Sequence, residues 1–570
     1  MLTRMRKYLN KYSKPGLTLL FGLAVFLFWR FRYPFVLSYQ EQLQLFLFDS
    51  DYFWERMAEP GGFARYVAEF LTQFYNNVTA GALILAVMYM LVQRLSWRLM
   101  RTDAHYAWSF VPVVLLWHAM GDESILPTYV VALMLTILVT WLMAKRFWAW
   151  GYETAMLVRK LKVMLVLVPL MYWLVGPMVL LMAMLLMPLA VVYAFALMLL
   201  SAHYLPFPTS RVMIGISYYR FPDTLTLMPV VVPVVLWLIA NSVRLLPRSI
   251  RWMNMSIAAL VLTGIGAVVL GWGYEARKYE LIKYDYLVRI GDWRGIIAQA
   301  EKKMPDLPMS VSATNLALAM TDQLGDRAFD FYQRGTEGLL PKFERNFATA
   351  QLTGEIYFHL GLVNTAQRFA FEAMEAIPNY NKSTRVVKRL AETNLINGQY
   401  KVAGKYLRML EKTVFYRRWA QRTLAMLGDE DAINRHPLYG SLRQCRLQED
   451  FLFSDRELDK ICGQLFMHNN QNKMAAQYLL MMPLLDKDLA RFMQYAQYVQ
   501  GKIQYTPRSS QEAIAFAFMQ QRRQPPQGLV SQLVLQQMND FARTYSSGGK
   551  DAPGLERFRN TVWYYLTVGQ

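Results

Sequence analysis

The stretch from Val163 to Leu200 reads VMLVLVPLMYWLVGPMVLLMAMLLMPLAVVYAFALMLL, and none of its 38 residues carries a formal charge. About 20 apolar residues suffice for a helix to cross a bilayer, so this stretch makes its half of the chain a membrane domain. As one straight helix it would extend about 57 Å, roughly twice the hydrocarbon thickness. Gly176-Pro177 stands where a helix would break. The expectation is therefore two short membrane helices rather than one long one.

Outward from it lie further apolar runs: Gly16–Leu37, interrupted by Arg30 and Arg32, then Val78–Val92, Tyr106–Met120, Pro127–Met143, Leu225–Ile239 and Ile257–Trp272. Together they predict a transmembrane domain of seven or more helices over residues 1–272. Leu17–Phe28 follows a basic start, but Arg30 and Arg32 come next and no small-residue cleavage site does, which reads as an uncleaved first span.

The 570 residues hold 61 Lys and Arg against 41 Asp and Glu, a formal charge of +20, yet only 18% are charged. A chain so apolar is neither a disordered tail nor a simple cytosolic enzyme, and no nucleic-acid partner is expected, because such domains are charge-rich. The surplus falls in clusters between spans: Arg4, Arg6, Lys7, Lys11 and Lys14; Arg94, Arg98 and Arg101; Lys145, Arg146, Arg159, Lys160 and Lys162; Arg244, Arg248 and Arg251. By the excess of cations in cytoplasmic loops, these mark the inner side. The N-terminus is then cytoplasmic, and residues 33–77, 120–126 and everything after Trp272 face outward. If Val163–Leu200 crosses twice, another crossing must lie before Arg244.

Residues 273–570 have helical apolar spacing, with turn signals at Gly291-Asp292, Gly325-Asp326, Gly361-Leu362 and Gly398-Gln399, 34, 36 and 37 residues apart, and similar matter near Asn470. That period predicts a soluble tetratricopeptide-like α-solenoid, giving an all-α chain of two domains, 1–272 and 273–570. Thr384–Arg389 and Arg418–Arg422 read as basic, solvated helix faces. Cys445 and Cys462 match no zinc spacing and read as free thiols, with a disulfide as the alternative.

Chemistry is expected in the outward loops. The first carries Asp49, Asp51, Tyr52, Trp54, Glu55 and Arg56, then Pro60-Gly61-Gly62 and an amphipathic helix, Phe63–Tyr75, with Arg65, Glu69 and Gln73 along one side. That helix is expected on or near the membrane surface. The second loop is short: His118-Ala-Met-Gly121-Asp122-Glu123-Ser124. Its adjacent carboxylates repel, and a divalent cation (Mg or Mn) held by Asp122 and Glu123 would offset the repulsion. Arg30, Arg32, Arg56 and Arg220 are candidate phosphate ligands, since a guanidinium fork matches phosphate oxygens. His118 is a candidate partner of a carboxylate or phosphate, and Tyr52, Trp54 and Tyr66 are candidate stacking surfaces for a sugar.

Acids in the first two outward loops of a polytopic chain with a soluble domain on the same side make a layout that resembles the GT-C superfamily of membrane glycosyltransferases, which includes oligosaccharyltransferases and protein mannosyltransferases. The resemblance covers about 270 residues and implies a polyprenyl-phosphate-linked sugar donor and a protein or glycan acceptor. It matches Asp51, or Asp49, to the first-loop catalytic acid and Asp122 and Glu123 to the second-loop pair. The second-loop acids here are adjacent rather than separated by one residue, and no WWD-type motif occurs. Through Tyr39–Tyr75, Leu324–Asp330 and Gly354–Met374 the chain also resembles an uncharacterised family of Bacteroidetes envelope proteins, which implies a Gram-negative inner membrane. Two other functions fit the layout: a membrane-anchored scaffold that binds envelope proteins through its repeats, and a transporter, flippase or secretion component. The scarcity of charge inside the spans argues against ion-coupled transport.

Overall fold

The computed structural model describes residues 2–100, 106–150, 154–221, 225–243, 263–342 apart from 265 and 269, 344, 346–377, 382–447, 457–503 and 505–569. Among these the fold is all-α, with only isolated bridges at Ile125–Tyr219 and Arg334–Thr336. The chain divides into two units. The first holds residues 1–279, 377–384 and 411–417, and the second holds 280–376, 385–410 and 418–570.

The first unit contains α1 (Leu2–Leu27), α2 (Pro34–Gln42), α3 (Ser50–Met57), α4 (Gly62–Thr72), α5 (Val78–Met100), α6 (Val111–Ala119), α7 (Pro127–Ala149), α8 (Thr154–Val175), α9 (Val179–Leu186), α10 (Ala190–Tyr204), α11 (Thr209–Ile214) and α12 (Met228–Ser242). Four stretches are long and apolar enough to cross a membrane: Ser13–Arg32, Val78–Met100, Pro127–Ala149 and Thr154–Leu186. Tyr106–Ala119, Ala190–Tyr204 and Met228–Ser242 are apolar but shorter. Arg101, Arg244, Arg248, Arg251 and half of Ile257–Trp272 lie outside the described residues.

Gly176-Pro177 does interrupt the long apolar stretch, but it does not produce two crossings. A 3-10 turn, Gly176–Met178, joins α8 to α9. Three carbonyls freed at the end of α8 are taken: Tyr172 and Trp173 accept from the Gly61 N–H at 3.2 and 2.9 Å, and Val175 accepts from the Tyr218 hydroxyl. Satisfying those groups lets irregular backbone persist inside an apolar domain. A second break at Met187-Pro188-Leu189 leads into α10. The Tyr193 hydroxyl donates to Leu165 O at 3.3 Å, and the Tyr172 and Ser201 hydroxyls bond at 2.6 Å. Residue numbers on α8 and α10 thus rise together, so the two helices are parallel. The eight residues of α9 are the limb that doubles back, by about 12 Å. Further on, Ile239 and Val243 at the end of α12 pack with Met100 at the end of α5. The parity problem dissolves, because α10 finishes at the same level as α8 and α12 makes the return.

The opposite end of the helices has a basic and aromatic rim. Arg94 and Lys14 lie over the Trp97 ring, Arg98 and Lys145 over Trp141, and Arg159 over Trp150, at 4.6–5.7 Å. Such belts of Trp and cations mark a membrane–water boundary.

The second unit consists of short helices joined by tight turns. Phe347–Leu360 packs on Val363–Glu375, and Leu458–His468 on Lys473–Leu485. Gly291, Gly361 and Gly398 take φ of 68°, 99° and 75° at the turns where the sequence places them, a conformation glycine adopts without steric cost. Gly325 does not. It lies inside Leu324–Arg327, where an added Cβ would stand 2.5 Å from Pro507, and the left-handed residue is Asp322 at φ 60°. Both cysteines are free.

Thr384–Arg389 is not a solvated basic face. Arg385 and Arg389 are buried and hold Asp285, Glu355 and Glu392: Arg385 meets Asp285 at 2.8 Å, and Arg389 meets Glu355 at 2.7 Å and Glu392 at 3.1 Å. His359 stands 3.7 Å from Glu355. Burial opposes ionisation of Glu355, but Arg389 and Arg385 outweigh it and hold its carboxyl down to about 2. Burial pushes the His359 imidazole down to about 4. Both shifts make acid destabilising. The unfolded chain takes up the histidine proton first, between pH 6.5 and 4, and the Glu355 proton below 4.5. His359→Gln should remove the loss of stability between pH 6.5 and 4, on the order of 2–3 kcal/mol, while leaving the steeper loss below 4. Thermal melting of the full chain in detergent across that pH range measures it.

Candidate functional site

The first outward loop folds into α3 and α4. Asp49 caps α3, its carboxylate accepting from the Asp51 N–H at 3.3 Å. Pro60-Gly61-Gly62 reverses the chain. Gly61 is left-handed at φ 80°, and a Cβ on Gly62 would lie 1.9 Å from the Arg56 carbonyl oxygen. The two helices therefore approach more closely than any side chain at that position permits.

The close approach brings the polar stripe of α4 inward. Arg65, Glu69 and Gln73 are buried, at 4, 6 and 8% exposure, and α4 packs on α7 and α8. This corrects the surface-helix expectation: the stripe is interior, and the neighbouring membrane helices cover it. Glu69 accepts from Arg56 Nε at 2.8 Å, Arg65 Nε at 3.0 Å and the Tyr52 hydroxyl at 2.5 Å. Arg65 also meets Glu59, and Arg56 meets Glu55. Burial opposes ionisation of Glu69, but Arg65 and Arg56 overcome it and hold its carboxyl below the usual range.

The second loop is fastened at several points. The Asp122 carboxylate accepts from the Ser124 N–H at 2.8 Å, closing the turn, and Glu123 pairs with Lys278 at 3.0 Å. The Tyr279 hydroxyl donates to Gly121 O at 2.6 Å. His118 lies against Gly273. The segment Ser217–Arg220 zips onto this loop, with Leu126 N–H bonded to Tyr218 O at 2.9 Å and Arg220 N–H to Ser124 O at 2.6 Å.

Arg220 is 5% exposed. Its Nε reaches only the Glu123 carbonyl, at 3.4 Å, and no carboxylate among the described residues forms an ion pair with it. Burial, only partly offset by Tyr39 and Glu123, lowers its guanidinium to about 10. It lines a small polar crevice of about 20 Å³, shared with Arg65, Glu69, Gln44, Thr72, Thr128 and Ser217. Pro127 and Thr128 are the first residues of α7, so the positive end of a 23-residue helix opens there too. A buried cation without an ion-pair partner beside a helix N-terminus favours an anion.

The other expected residues separate. Asp49 pairs with Lys412, and Asp51 is exposed on the first turn of α3. Among the described residues no hydrogen bond or ion pair joins these acids to Asp122 or Glu123, and no three His, Cys, Asp or Glu side chains gather as a metal cluster. Arg30 donates to the Thr79 hydroxyl at 2.9 Å, and Arg32 lies over Tyr33. Arg56 is committed to Glu69, and Tyr52 is buried beneath it. Tyr66 packs with Phe46 and Phe53, while Trp54 remains 66% exposed. Sequence reading placed Arg65 and Glu69 on a surface helix rather than in the site, and it did not single out Thr128 or Ser217. The i, i+4 spacing of Arg65 and Glu69 was the available signal.

A protein-family model described as a family of unknown function (DUF6057) matches residues 9–569. The chain belongs to this family. No curated protein and no solved structure matches it. The DUF6057 match runs through both units.

Proposed function

We propose that the chain is a membrane glycosyltransferase that moves a sugar or oligosaccharide from a polyprenyl-phosphate-linked donor to a protein or glycan acceptor on the periplasmic side of an inner membrane. The observation that carries this reading is Arg220, buried and without a carboxylate partner, in a crevice at the start of α7. In transfer, an acceptor oxygen attacks the anomeric carbon while the bond from that carbon to the phosphate oxygen breaks. Charge grows on the departing phosphate, where Arg220 and the α7 N-terminus stabilise it. Asp51, exposed on the first turn of α3, accepts the hydroxyl proton. A Mg or Mn ion belongs to the same proposal: Asp122 and Glu123 would hold it, and it would neutralise charge on the departing phosphate.

Topology supports the reading. Residues 384 and 411–417 share the first unit with the first outward loop: the Thr384 hydroxyl bonds Gln44 O at 2.7 Å, and Lys412 pairs with Asp49. They lie on one side of the membrane, and the basic rim lies at the other end of the helices. In the soluble half, the left-handed glycines 291, 361 and 398 stand 70 and 37 residues apart, about two periods and one, which fits tetratricopeptide-like repeats. A second reading, a scaffold, draws on two adjoining grooves there, of about 400 and 260 Å³, lined by Leu480, Ile503 and Ser510 in common.

Arg220→Gln should lower transfer from a polyprenyl-phosphate-linked sugar at least 100-fold, as loss of one stabilising donor does elsewhere, about 3 kcal/mol, with expression unchanged. Asp51→Asn, Asp122→Asn and Glu123→Gln are measured alongside in membranes. Full transfer by all four variants contradicts the enzyme reading and leaves the scaffold.

A further inference from the structure

The turn Glu411–Arg417 joins two helices of the later chain but packs within the first unit. Its backbone is held there: Phe48 N–H bonds Lys412 O at 2.9 Å, and the Asn76 amide bonds the Tyr416 hydroxyl at 3.3 Å. A ladder of rings runs Phe46, Phe48, Phe70, Phe74, Phe415, with successive centroids 5.1–6.2 Å apart. Asn76 and Phe74 stand two and four residues before Val78, where a membrane-length helix begins. Parts of this cluster are uncovered: Phe48 is 46% exposed, Phe415 36% and the neighbouring Val414 42%. Lys412 and Arg417 flank them, both exposed. From Lys401 to Arg422 the chain carries seven Lys and Arg and one acid, Glu411.

Exposed aromatic and apolar groups level with the start of a span, ringed by cations, have the chemistry of a bilayer interface, where rings sit among the glycerol groups and cations meet phosphates. A solvated surface would have no reason to expose Val414 and Phe415 together. We propose that the turn Glu411–Arg417 rests in the membrane interface, with Val414 and Phe415 immersed and Arg417 on anionic phospholipid headgroups, beside the Lys412–Asp49 pair. A segment from the helical half of the chain is thereby a lipid-binding element, fixed at the level of the first outward loop. This assignment does not depend on the transferase reading.

The test uses the full chain in nanodiscs, either of phosphatidylcholine alone or mixed with phosphatidylglycerol. A spin label is placed at Val414→Cys in a Cys445→Ser/Cys462→Ala background, and collisions with oxygen and with a water-soluble nickel chelate are compared. The label should be oxygen-accessible and nickel-shielded, more so with phosphatidylglycerol. Arg417→Gln should shift the immersed population toward water about fivefold. A label at Tyr505→Cys, on an exposed residue of the second unit, serves as the aqueous reference. Three results would overturn the proposal: a Val414 label as nickel-accessible as the reference, a label shielded from both probes as under a protein partner, or immersion independent of phosphatidylglycerol and of Arg417.

Discussion

Glu69→Gln should be among the most destabilising single substitutions in the membrane half, costing about 3–5 kcal/mol, the range for removing one partner of a buried ion pair. The carboxylate takes hydrogen bonds from Arg56, Arg65 and Tyr52, and its oxygens are the shared acceptor at the centre of the α3–α4 pair. A glutamine of the same shape keeps one acceptor and turns an amide donor toward a guanidinium. Two cations then face each other with their common counter-charge gone, in a place water does not reach. Acid dependence distinguishes this cause from a packing defect. The folded state holds the Glu69 carboxyl below its usual 4.5, so its contribution is fully present above that value and disappears as pH falls through the lower folded value. The wild-type chain should lose stability over that acid window, and the variant should lose that component. Fluorescence-detected thermal melting in detergent reads both.

Gly62→Ala should rival it. The new methyl would stand 1.9 Å from Arg56 O, well inside any non-bonded contact, and the obstacle is backbone rather than a movable side chain. The α3–α4 connection must open, which pulls Arg56 away from Glu69. We expect a cost of about 3 kcal/mol, at or above the upper end for overpacking. Gly61→Ala should cost less, about 1–2 kcal/mol, for a left-handed alanine, with its methyl 3.2 Å from Gly176 N. Gly16→Ala, with nothing within 4 Å, should be near neutral. The ranking Gly62, Gly61, Gly16 is the readout. Equal melting temperatures for all three would contradict the described loop.

Membrane character was legible because it depends on local composition: the uncharged run at Val163–Leu200 admits no other solvent. The turn glycines at 291, 361 and 398 were legible because left-handed backbone and helix ends are local as well. What failed was direction and burial. Periodicity shows that Arg65, Glu69 and Gln73 share a face, but not what covers it, and α7 and α8 do so from more than 50 residues away. The doubling back of α9 depends on which carbonyls find donors, and those donors, Gly61 and Tyr218, come from distant loops. Arg220 was identifiable as a cation near phosphate chemistry. That it lacks a carboxylate partner is a property of packing among four separate segments, which no spacing in the chain encodes.

The crevice is the centre of the account, and direct binding tests it best. Full chain in phosphatidylcholine nanodiscs would be titrated with polyprenyl phosphate and, in parallel, with the uncharged polyprenol of the same length. We predict saturable binding of the phosphate that weakens at least tenfold in Arg220→Gln, about 1.4 kcal/mol or more for a charge-assisted contact, and no measurable preference for the alcohol in either protein. Equal binding of phosphate and alcohol, or phosphate binding untouched by Arg220→Gln in a protein of unchanged melting temperature, would contradict the anion site and the function built on it.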